Sequence, residues 1–274
     1  SEGERTFLQE RLAAQGLSVT ALNNYLESPW KYFFNNLLRI PKARVPHLLY
    51  GSAIDETLKW YTDRRSEGAV PDVAVTTEIF IASLARKPLA RRDFETYKKR
   101  GTEALAGYLA QYAGGWFASA ESAVRLTVPF ETGISELPVI MLNGEFDKVE
   151  HLGDNAARIV DYKTGKPKTR GEIEGATKNA NGNLKRQLVF YRLLAELDPA
   201  HRFVVREGVL DFVEPDTKGK YHRESFIVTA VETEELKETI REMLRALYAF
   251  TFWDTACDDA GRTEEYCALA RVVH

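Results

Sequence analysis

The feature that most constrains the fold is a strong turn signal between two strand-forming segments. Residues Pro138–His151 and Ala157–Tyr162 are rich in β-forming side chains, and Gly153-Asp154-Asn155 separates them. The three parts together predict an antiparallel hairpin. A loop with an odd number of residues centred on Asp154 pairs residues that are equally far from it along the chain.

This register would place two acidic residues, Asp147 and Asp161, opposite each other on one face. Two carboxylates that face each other across a ladder repel, so the pairing is favourable only if a divalent cation lies between them. Oxygen ligands suit Mg²⁺ or Mn²⁺, and without metal we expect repulsion to raise the pKa of at least one carboxyl group. A two-residue turn at Asp154 and Asn155 would instead place Tyr162 opposite Asp147 and turn Asp161 to the other face.

The second strand ends on Asp161-Tyr162-Lys163-Thr164-Gly165. Because side chains alternate along a strand, Asp161 and Lys163 share one face. Such a pair taken alone is equally typical of a surface ion pair, which contributes little to stability. On the following predicted helix, Gln187 and Tyr191 lie four residues apart and share a face, a spacing that is also common on any amphipathic helix.

The remaining chain predicts helices and then one strand before the hairpin, and a mixture of helices and strands after it. Ser18–Leu38 reads as helical with an interruption at Pro29, and Thr76–Gly114 reads as a polar, basic helical insertion. The other predicted elements are helices at about Tyr50–Arg65, Asn183–Leu197 and Glu232–Ala249, and strands at Val124–Phe130, Arg202–Val213 and Tyr221–Thr229. We interpret residues 1–274 as one domain, with a helical part at about 1–120 and an α/β core at about 121–274.

Five motifs in this order resemble the RecB-like branch of the PD-(D/E)XK nucleases, which occur as C-terminal domains of helicase–nucleases and of UvrD/Rep-type helicases. The motifs are the start from Ser18 to Phe33, Gly51-Ser52-Ala53-Ile54-Asp55-Glu56, Gly144-Glu145-Phe146-Asp147, Asp161 to Gly165, and Gln187-Leu188-Val189-Phe190-Tyr191. The resemblance implies a restriction-endonuclease-like α/β core, a mixed β-sheet flanked by helices, with an extra helical region. It also implies a Mg²⁺- or Mn²⁺-dependent deoxyribonuclease, an exonuclease in DNA repair or recombination.

The resemblance further implies roles for the motif residues. Asp147, Asp161 and the Tyr162 carbonyl would bind the metal, and Lys163 would position the attacking water and stabilise the charge on phosphorus. Gln187 and Tyr191 would orient Lys163 or contact the substrate backbone. The family usually has a histidine where this chain has Asp55, so Asp55 is either a further metal ligand or a solvated helix acid.

Many relatives also hold an iron–sulfur cluster on four cysteines, whereas this chain has two, Cys257 and Cys267. Ser28 occupies the upstream cysteine position and His274 stands where a last cysteine would be. We therefore expect no iron–sulfur cluster. We expect the two cysteines to be ordinary thiols in the reducing cytoplasm, and no apolar run is long enough for a membrane span.

The expected partners are DNA, as a single strand or a duplex end, and a helicase motor in the same full-length protein or complex. Basic clusters could follow a phosphate backbone, or they could be ordinary solvated faces; they comprise Lys166, Lys168, Arg170, Lys178, Lys185, Arg186 and the stretch from Arg86 to Arg100. The net charge of −3 neither supports nor excludes DNA binding. No phosphate-binding loop of the P-loop type occurs, so the motor would be a separate part.

Two alternatives stay open from the sequence. The chain could be a catalytically impaired nuclease fold that binds DNA or scaffolds a helicase, for which Asp55 in place of histidine is the best argument. It could also be a metal-dependent phosphohydrolase of small molecules, which would require a deep pocket instead of a basic groove.

Overall fold

The structure is a computed structural model that describes residues 2–43, 45–254 and 264–273. Its helices are α1 (Glu2–Gln15), α2 (Val19–Glu27), α3 (Pro29–Tyr32), α4 (Pro46–Ser66), α5 (Val73–Ala85), α6 (Arg91–Tyr112), α7 (Arg170–Glu174), α8 (Asn183–Leu197), α9 (Ala230–Ala249) and α10 (Glu264–Val273). Its strands are β1 (Leu17–Ser18), β2 (Ala120–Ile134), β3 (Leu137–Gly153), β4 (Ala156–Lys163), β5 (Val204–Phe212) and β6 (His222–Phe226).

The six strands form one mixed sheet around the long strand β3. β2 pairs antiparallel along one edge of β3. The other edge of β3 is shared, because β1 pairs with it in parallel at Leu142 and Asn143, and β4 pairs antiparallel from Lys148 onward. β5 is parallel to β4, and β6 is antiparallel to β5. This mixed sheet with flanking helices confirms the predicted fold class.

Helices cover both faces of the sheet. One core contains Leu22 of α2, Leu194 of α8 and Leu244 of α9, packed on the face that carries Ile159 of β4. The second core contains aromatic side chains of α4 to α6 and the opposite face of β4, with Tyr61, Phe80, Tyr108, Val160 and Tyr162 among its members. Because both faces of β4 are buried, its central residues form an almost continuous apolar run.

The β3–β4 turn confirms the predicted register by an unexpected route. Asp154 and Asn155 have φ values of 47° and 58°, as in a two-residue type I′ turn. Gly153 consequently pairs with Ala156, but a bulge before Gly153 absorbs one residue. In every pair from His151–Ala157 onward, the two paired residues again lie the same number of positions before and after Asp154. Without the bulge, the turn would have produced the slipped register.

The pleat of β3 reverses at Asp147. Phe146 packs against Tyr191 of α8 at a ring-centroid distance of 4.9 Å, whereas Lys148 lies over Trp116 in the opposite core. In a regular strand these two residues, two positions apart, would share a face. The neighbouring residue on β2, Ala123, has a φ of 49°, so both strands are irregular at this point. Asp147 therefore lies at a kink, where simple alternation does not decide its direction.

The predicted helices and strands all occur, with shifted ends, and Pro29 starts α3 behind the N-cap Ser28. The sequence interpretation omitted α1, β1, α7 and α10, of which β1 and α7 are very short, with two and five residues. The expectation of ordinary thiols is wrong for Cys267, which is disulfide-bonded. Cys257 and His274 lie outside the described residues. Within the described chain, no helix combines the length and apolar character needed to cross a membrane.

Candidate active site

The C-terminal end of β4 and helix α8 join four polar side chains in a closed ring. Lys163 Nζ lies 2.5 Å from Asp161 Oδ2 and donates to Gln187 Oε1 at 2.8 Å. Gln187 Nε2 donates to the Tyr191 hydroxyl at 2.8 Å, and this hydroxyl donates to Asp161 Oδ1 at 3.2 Å. Each polar group in the ring is held by two neighbours, so the ammonium of Lys163 has a defined position.

Helix α8 can approach the sheet this closely because β3 carries a glycine beneath it. A Cβ atom at Gly144 would lie 2.6 Å from Leu194 Cδ1. A side chain at this position would displace the terminal methyl group of Leu194, so the glycine leaves room for Leu194 and Tyr191 of α8 against β3. Gly144, which begins the motif that ends on Asp147, thus contributes to the packing of the helix that carries Gln187 and Tyr191.

Asp147 joins the site from the kink in β3. The β3 edge that faces β4 is unpaired between Asn143, which pairs with β1, and Lys148, which pairs with Val160 of β4. In this opening, Asp147 Oδ2 accepts a hydrogen bond from the backbone N–H of Tyr162 at 2.8 Å. The carboxylate therefore lies next to the backbone between Asp161 and Lys163.

Asp55 approaches the same place from α4. It lines an open cleft of about 700 Å³ together with Asp147, Lys163 and Thr164. A Cβ atom at Gly51, one turn earlier, would lie 3.3 Å from the Thr164 hydroxyl, so α4 packs closely against the end of β4. The structure brings Asp55, Asp147, Asp161 and Lys163 together from three distant segments of the chain.

The electrostatics of the site follow from three carboxylates and one ammonium. Removal from bulk water and then the charges of Asp161 and Asp55 raise the pKa of Asp147 to about 8. Asp55 is exposed to the cleft, but the walls of the cleft reduce its contact with bulk water. This desolvation, followed by the charge of Asp161, raises the pKa of Asp55 to about 7. Burial lowers the pKa of Lys163, but the nearby carboxylates outweigh this and raise it. The repulsion between carboxylates that the sequence predicts thus adds to the effect of burial.

The donor set fits a hard divalent cation in charge and in chemistry. The carboxylates exceed the nearby cation by two charges, and Asp161 Oδ2, which is buried, makes no hydrogen bond of regular geometry. Among the described residues, however, no group of three or more Asp, Glu, His or Cys side chains is arranged so that it could hold a metal ion without movement of the side chains. Lys163 lies against Asp161, and the Tyr162 side chain packs into the opposite core, so only its carbonyl remains as a potential ligand.

Several of the predicted DNA-binding cations are engaged by the protein itself. Arg86 and Lys87 both contact Glu56 beside the cleft, and Arg100 pairs with Glu214 at 2.7 Å. Arg170 and Lys185 also pair with glutamates, and Arg186 donates to Asn23 at 2.6 Å. In the described part of the chain, the cations without an ion pair include Lys166, Lys168, Lys178, Arg91, Arg92 and Lys99.

A second groove, of about 380 Å³, continues from the cleft along the N-terminus of α2. Arg125 of β2 and Glu145 of β3 line both depressions and pair with each other at 2.5 Å. The sequence interpretation missed Arg125, since nothing local marks it. Glu145 lies within the first acidic motif, but the sequence did not assign it a role.

Comparison with known proteins agrees with this geometry. The family described as the PD-(D/E)XK nuclease superfamily matches residues 16–272, nearly the whole chain. The chain belongs to the PD-(D/E)XK nuclease superfamily. The match includes the cleft residues, the ring on α8 and the helices α5 and α6.

Among solved structures, the chain is similar to a protein from Eubacterium rectale that is provisionally described as an exonuclease. The two are 12% identical with a TM-score of 0.50, and the match covers 93% of this chain and 88% of that one. This similarity concerns the fold. The structure named SSO0001 is also 12% identical, with a TM-score of 0.38, over 92% of this chain and 93% of that one. No curated protein matches the chain.

Proposed function

We propose that this protein is a metal-dependent deoxyribonuclease of the RecB-like branch, which hydrolyses phosphodiester bonds at the end of β4. The observation that carries the proposal is the ring of Asp161, Lys163, Gln187 and Tyr191, with Asp147 beside it. The ring holds an ammonium group at the rim of an open cleft. An open cleft suits a polymeric substrate better than an enclosed pocket for a small molecule would.

In this proposal Asp147, Asp161, Asp55 and the Tyr162 carbonyl would hold Mg²⁺ or Mn²⁺. The bound cation would supply Lewis acidity toward the phosphodiester and lower the pKa of a water molecule. Lys163 would donate a hydrogen bond to the attacking water or to a non-bridging phosphate oxygen, where negative charge develops. Gln187 and Tyr191 would hold Lys163 in position, since both are already hydrogen-bonded within the ring.

We also propose that the protein acts as an exonuclease in DNA repair or recombination, together with a helicase motor in the same full-length protein or complex. Support comes from the five motifs that resemble the RecB-like branch. The description of the Eubacterium rectale relative as an exonuclease agrees with this mode. The substrate would be a single strand or a duplex end.

One observation favours a second candidate, a module that binds DNA but cleaves it poorly or not at all. The acidic side chains of the described residues are not arranged so that three or more of them could hold a metal ion without movement, and Lys163 contacts Asp161 directly. For the proposed nuclease, these side chains would have to shift when metal binds. A module without activity would bind DNA with no response to metal.

The test is cleavage of end-labelled single-stranded and duplex DNA with Mg²⁺, with Mn²⁺ and with EDTA, beside a small chromogenic phosphodiester. The nuclease proposal expects metal-dependent cleavage of DNA that EDTA abolishes. A matched Asp161→Asn protein controls for contaminating nucleases. Equal cleavage by the Asp161→Asn protein would contradict the proposed site, and hydrolysis of the small phosphodiester alone would contradict the DNA substrate.

A further inference from the structure

Three neighbouring depressions in the surface, called the track below, start at the cleft, and each shares lining residues with the next. The cleft and the groove along α2 share Arg125 and Glu145. The groove in turn shares Ser18 and Asn143 with a third depression of about 360 Å³. Its volume is within the range of pockets that hold small ligands or ligand parts. The third depression is called the amide pocket below, because its lining includes Gln15, Asn35, Asn36 and Asn143, together with Tyr32 and Arg39.

The carboxamides of the amide pocket are only partly used by the protein. Asn35 donates to the Tyr266 hydroxyl at 2.7 Å, but its Oδ1 atom is buried without a hydrogen bond. Asn36 uses its Oδ1 to accept from Asn24 at 2.9 Å. The side chain of Asn143 makes no hydrogen bond within the described part of the chain. Unpaired buried polar atoms are costly, so the pocket is suited to a ligand with both donors and acceptors.

The rim of the amide pocket carries a cation in an unusual backbone conformation. Arg39 has a φ of 55°, in the left-handed region that non-glycine residues seldom adopt. The hydrogen bond from the Ile40 N–H to the Phe34 carbonyl at 2.9 Å shows that this conformation ends the preceding helical turn. The Arg39 side chain is exposed and forms no ion pair in the described ranges of the chain. The guanidinium is thus free to bind an anionic group beside the pocket.

We propose that the amide pocket binds a nucleobase of a single DNA strand whose scissile phosphate lies at Lys163. Carboxamides present a donor and an acceptor side by side, which matches the hydrogen-bonding edges of bases. Arg39 would bind a phosphate of the same nucleotide or its neighbour. A base in a duplex cannot enter such a pocket, so the substrate on this track is a single strand. This inference rests on the proposed function and adds the strand state of the substrate and a base-binding site.

The experiment measures binding in EDTA, so that neither metal nor cleavage is needed. A short single-stranded oligonucleotide is compared with an abasic strand of the same length and charge by fluorescence anisotropy. The wild-type protein is expected to bind the base-containing strand roughly tenfold more tightly, since one good base contact contributes about that factor. Asn143→Ala should lose most of this preference and bind the abasic strand as the wild-type protein does. Asn179→Ala, which removes an exposed carboxamide elsewhere, is the matched control and should keep the preference.

A second measurement covers the case in which Asn143→Ala does not fold. A strand with a photoreactive thymine analogue is cross-linked to the wild-type protein, and the attached peptide is identified by mass spectrometry. Attachment within residues 15–40 or at Asn143 supports the proposal. Equal binding of both strands by the wild-type protein, an undiminished preference in Asn143→Ala, or cross-links only elsewhere would overturn it. If DNA is cleaved in the earlier test while these results are negative, only the base pocket is refuted; if DNA is neither bound nor cleaved, both proposals fail.

Discussion

Two groups of charged side chains lie next to β4, and they differ in their balance of charge. The first, the carboxylate cluster, comprises Asp55, Asp147 and Asp161 with the single cation Lys163. The second, the paired cluster, lies on the α4–α6 side and contains three acids and three cations. In it Asp211 pairs with Arg223 at 2.7 Å, Lys148 with Glu150 at 2.6 Å, and Arg158 with Glu207 at 2.5 Å.

The difference distinguishes a structural arrangement from a site that is prepared for a ligand. In the paired cluster, each buried acid has a cation and the Asp211 carboxylate also accepts from Tyr108 at 2.6 Å. Burial raises the pKa of Asp211, while Arg223 opposes that rise. In the carboxylate cluster the one cation contacts Asp161, whereas burial and the neighbouring carboxylates raise the pKa of Asp147 to about 8. A folded protein tolerates uncompensated charge mainly where function requires it.

The largest effect should be on activity when the carboxylate cluster is changed. Asp161→Ala or Lys163→Ala is expected to lower the cleavage rate about 10²-fold or more, because each removes a group that acts on the transition state. Thermal unfolding should show that both proteins still fold. Cleavage at the wild-type rate by either protein would refute the roles assigned to them.

Substitutions in the paired cluster should have the opposite result: they should lower stability and leave activity unchanged. Arg223→Leu leaves Asp211 buried without its cation, which is expected to cost about 3 kcal/mol in the free energy of unfolding. Urea denaturation measures this loss, and the folded protein should keep its cleavage rate. Adding Asp211→Asn to the same protein should recover part of the stability. A loss below about 1 kcal/mol would show that the pair is less important than its burial suggests.

Metal and pH should act on the carboxylate cluster together. Since the pKa values of Asp147 and Asp55, about 8 and about 7, exceed their ordinary value of 3.8, both groups stabilise the metal-free fold at low pH. That stability is lost progressively as the pH rises from the ordinary pKa of 3.8 to about 8, so the melting temperature of the metal-free protein should fall over this window. Mn²⁺ at 100 times its Kd should restore about 2.7 kcal/mol.

Calorimetry across this pH window, with and without Mn²⁺, measures both effects. Asp147→Asn should reduce the pH dependence of the melting temperature, because one of the repelling carboxylates is gone. It should also remove most of the stabilisation by Mn²⁺, because a proposed ligand is lost. A melting temperature that is indifferent to saturating Mn²⁺ would count against the metal site.

The smallest effect should come from the ring. Tyr191→Phe removes the hydroxyl that links Gln187 to Asp161, but leaves both groups that act directly. We expect about a tenfold loss in kcat with little change in KM, as for partners that orient a catalytic group. Steady-state kinetics check this. Tyr248→Phe, which removes the hydroxyl of a half-buried tyrosine on α9, is the matched control. An equal loss in both proteins would indicate a general packing effect.

Much of the site was predictable from the sequence because it depends on local spacing. Alternation along β4 places Asp161 and Lys163 on one face, and the helical period places Gln187 and Tyr191 on another. The register was predicted correctly only because a bulge offset the two-residue turn, and the bulge has no clear local signal. The direction of Asp147 could not be predicted, since the pleat reverses there.

By itself, the sequence determined the order of the principal elements, the faces of β4 and α8, and most of the residues that could carry chemistry. These follow from short-range geometry, which repeats every two residues in a strand and every 3.6 in a helix. Only the tertiary structure decided that Lys163 reaches Gln187, that Asp55 enters the cleft, and that the carboxylate cluster exceeds its cation by two charges. Those outcomes depend on packing between distant segments, such as α8 against Gly144 and α4 against Thr164, where fractions of an ångström decide which groups meet.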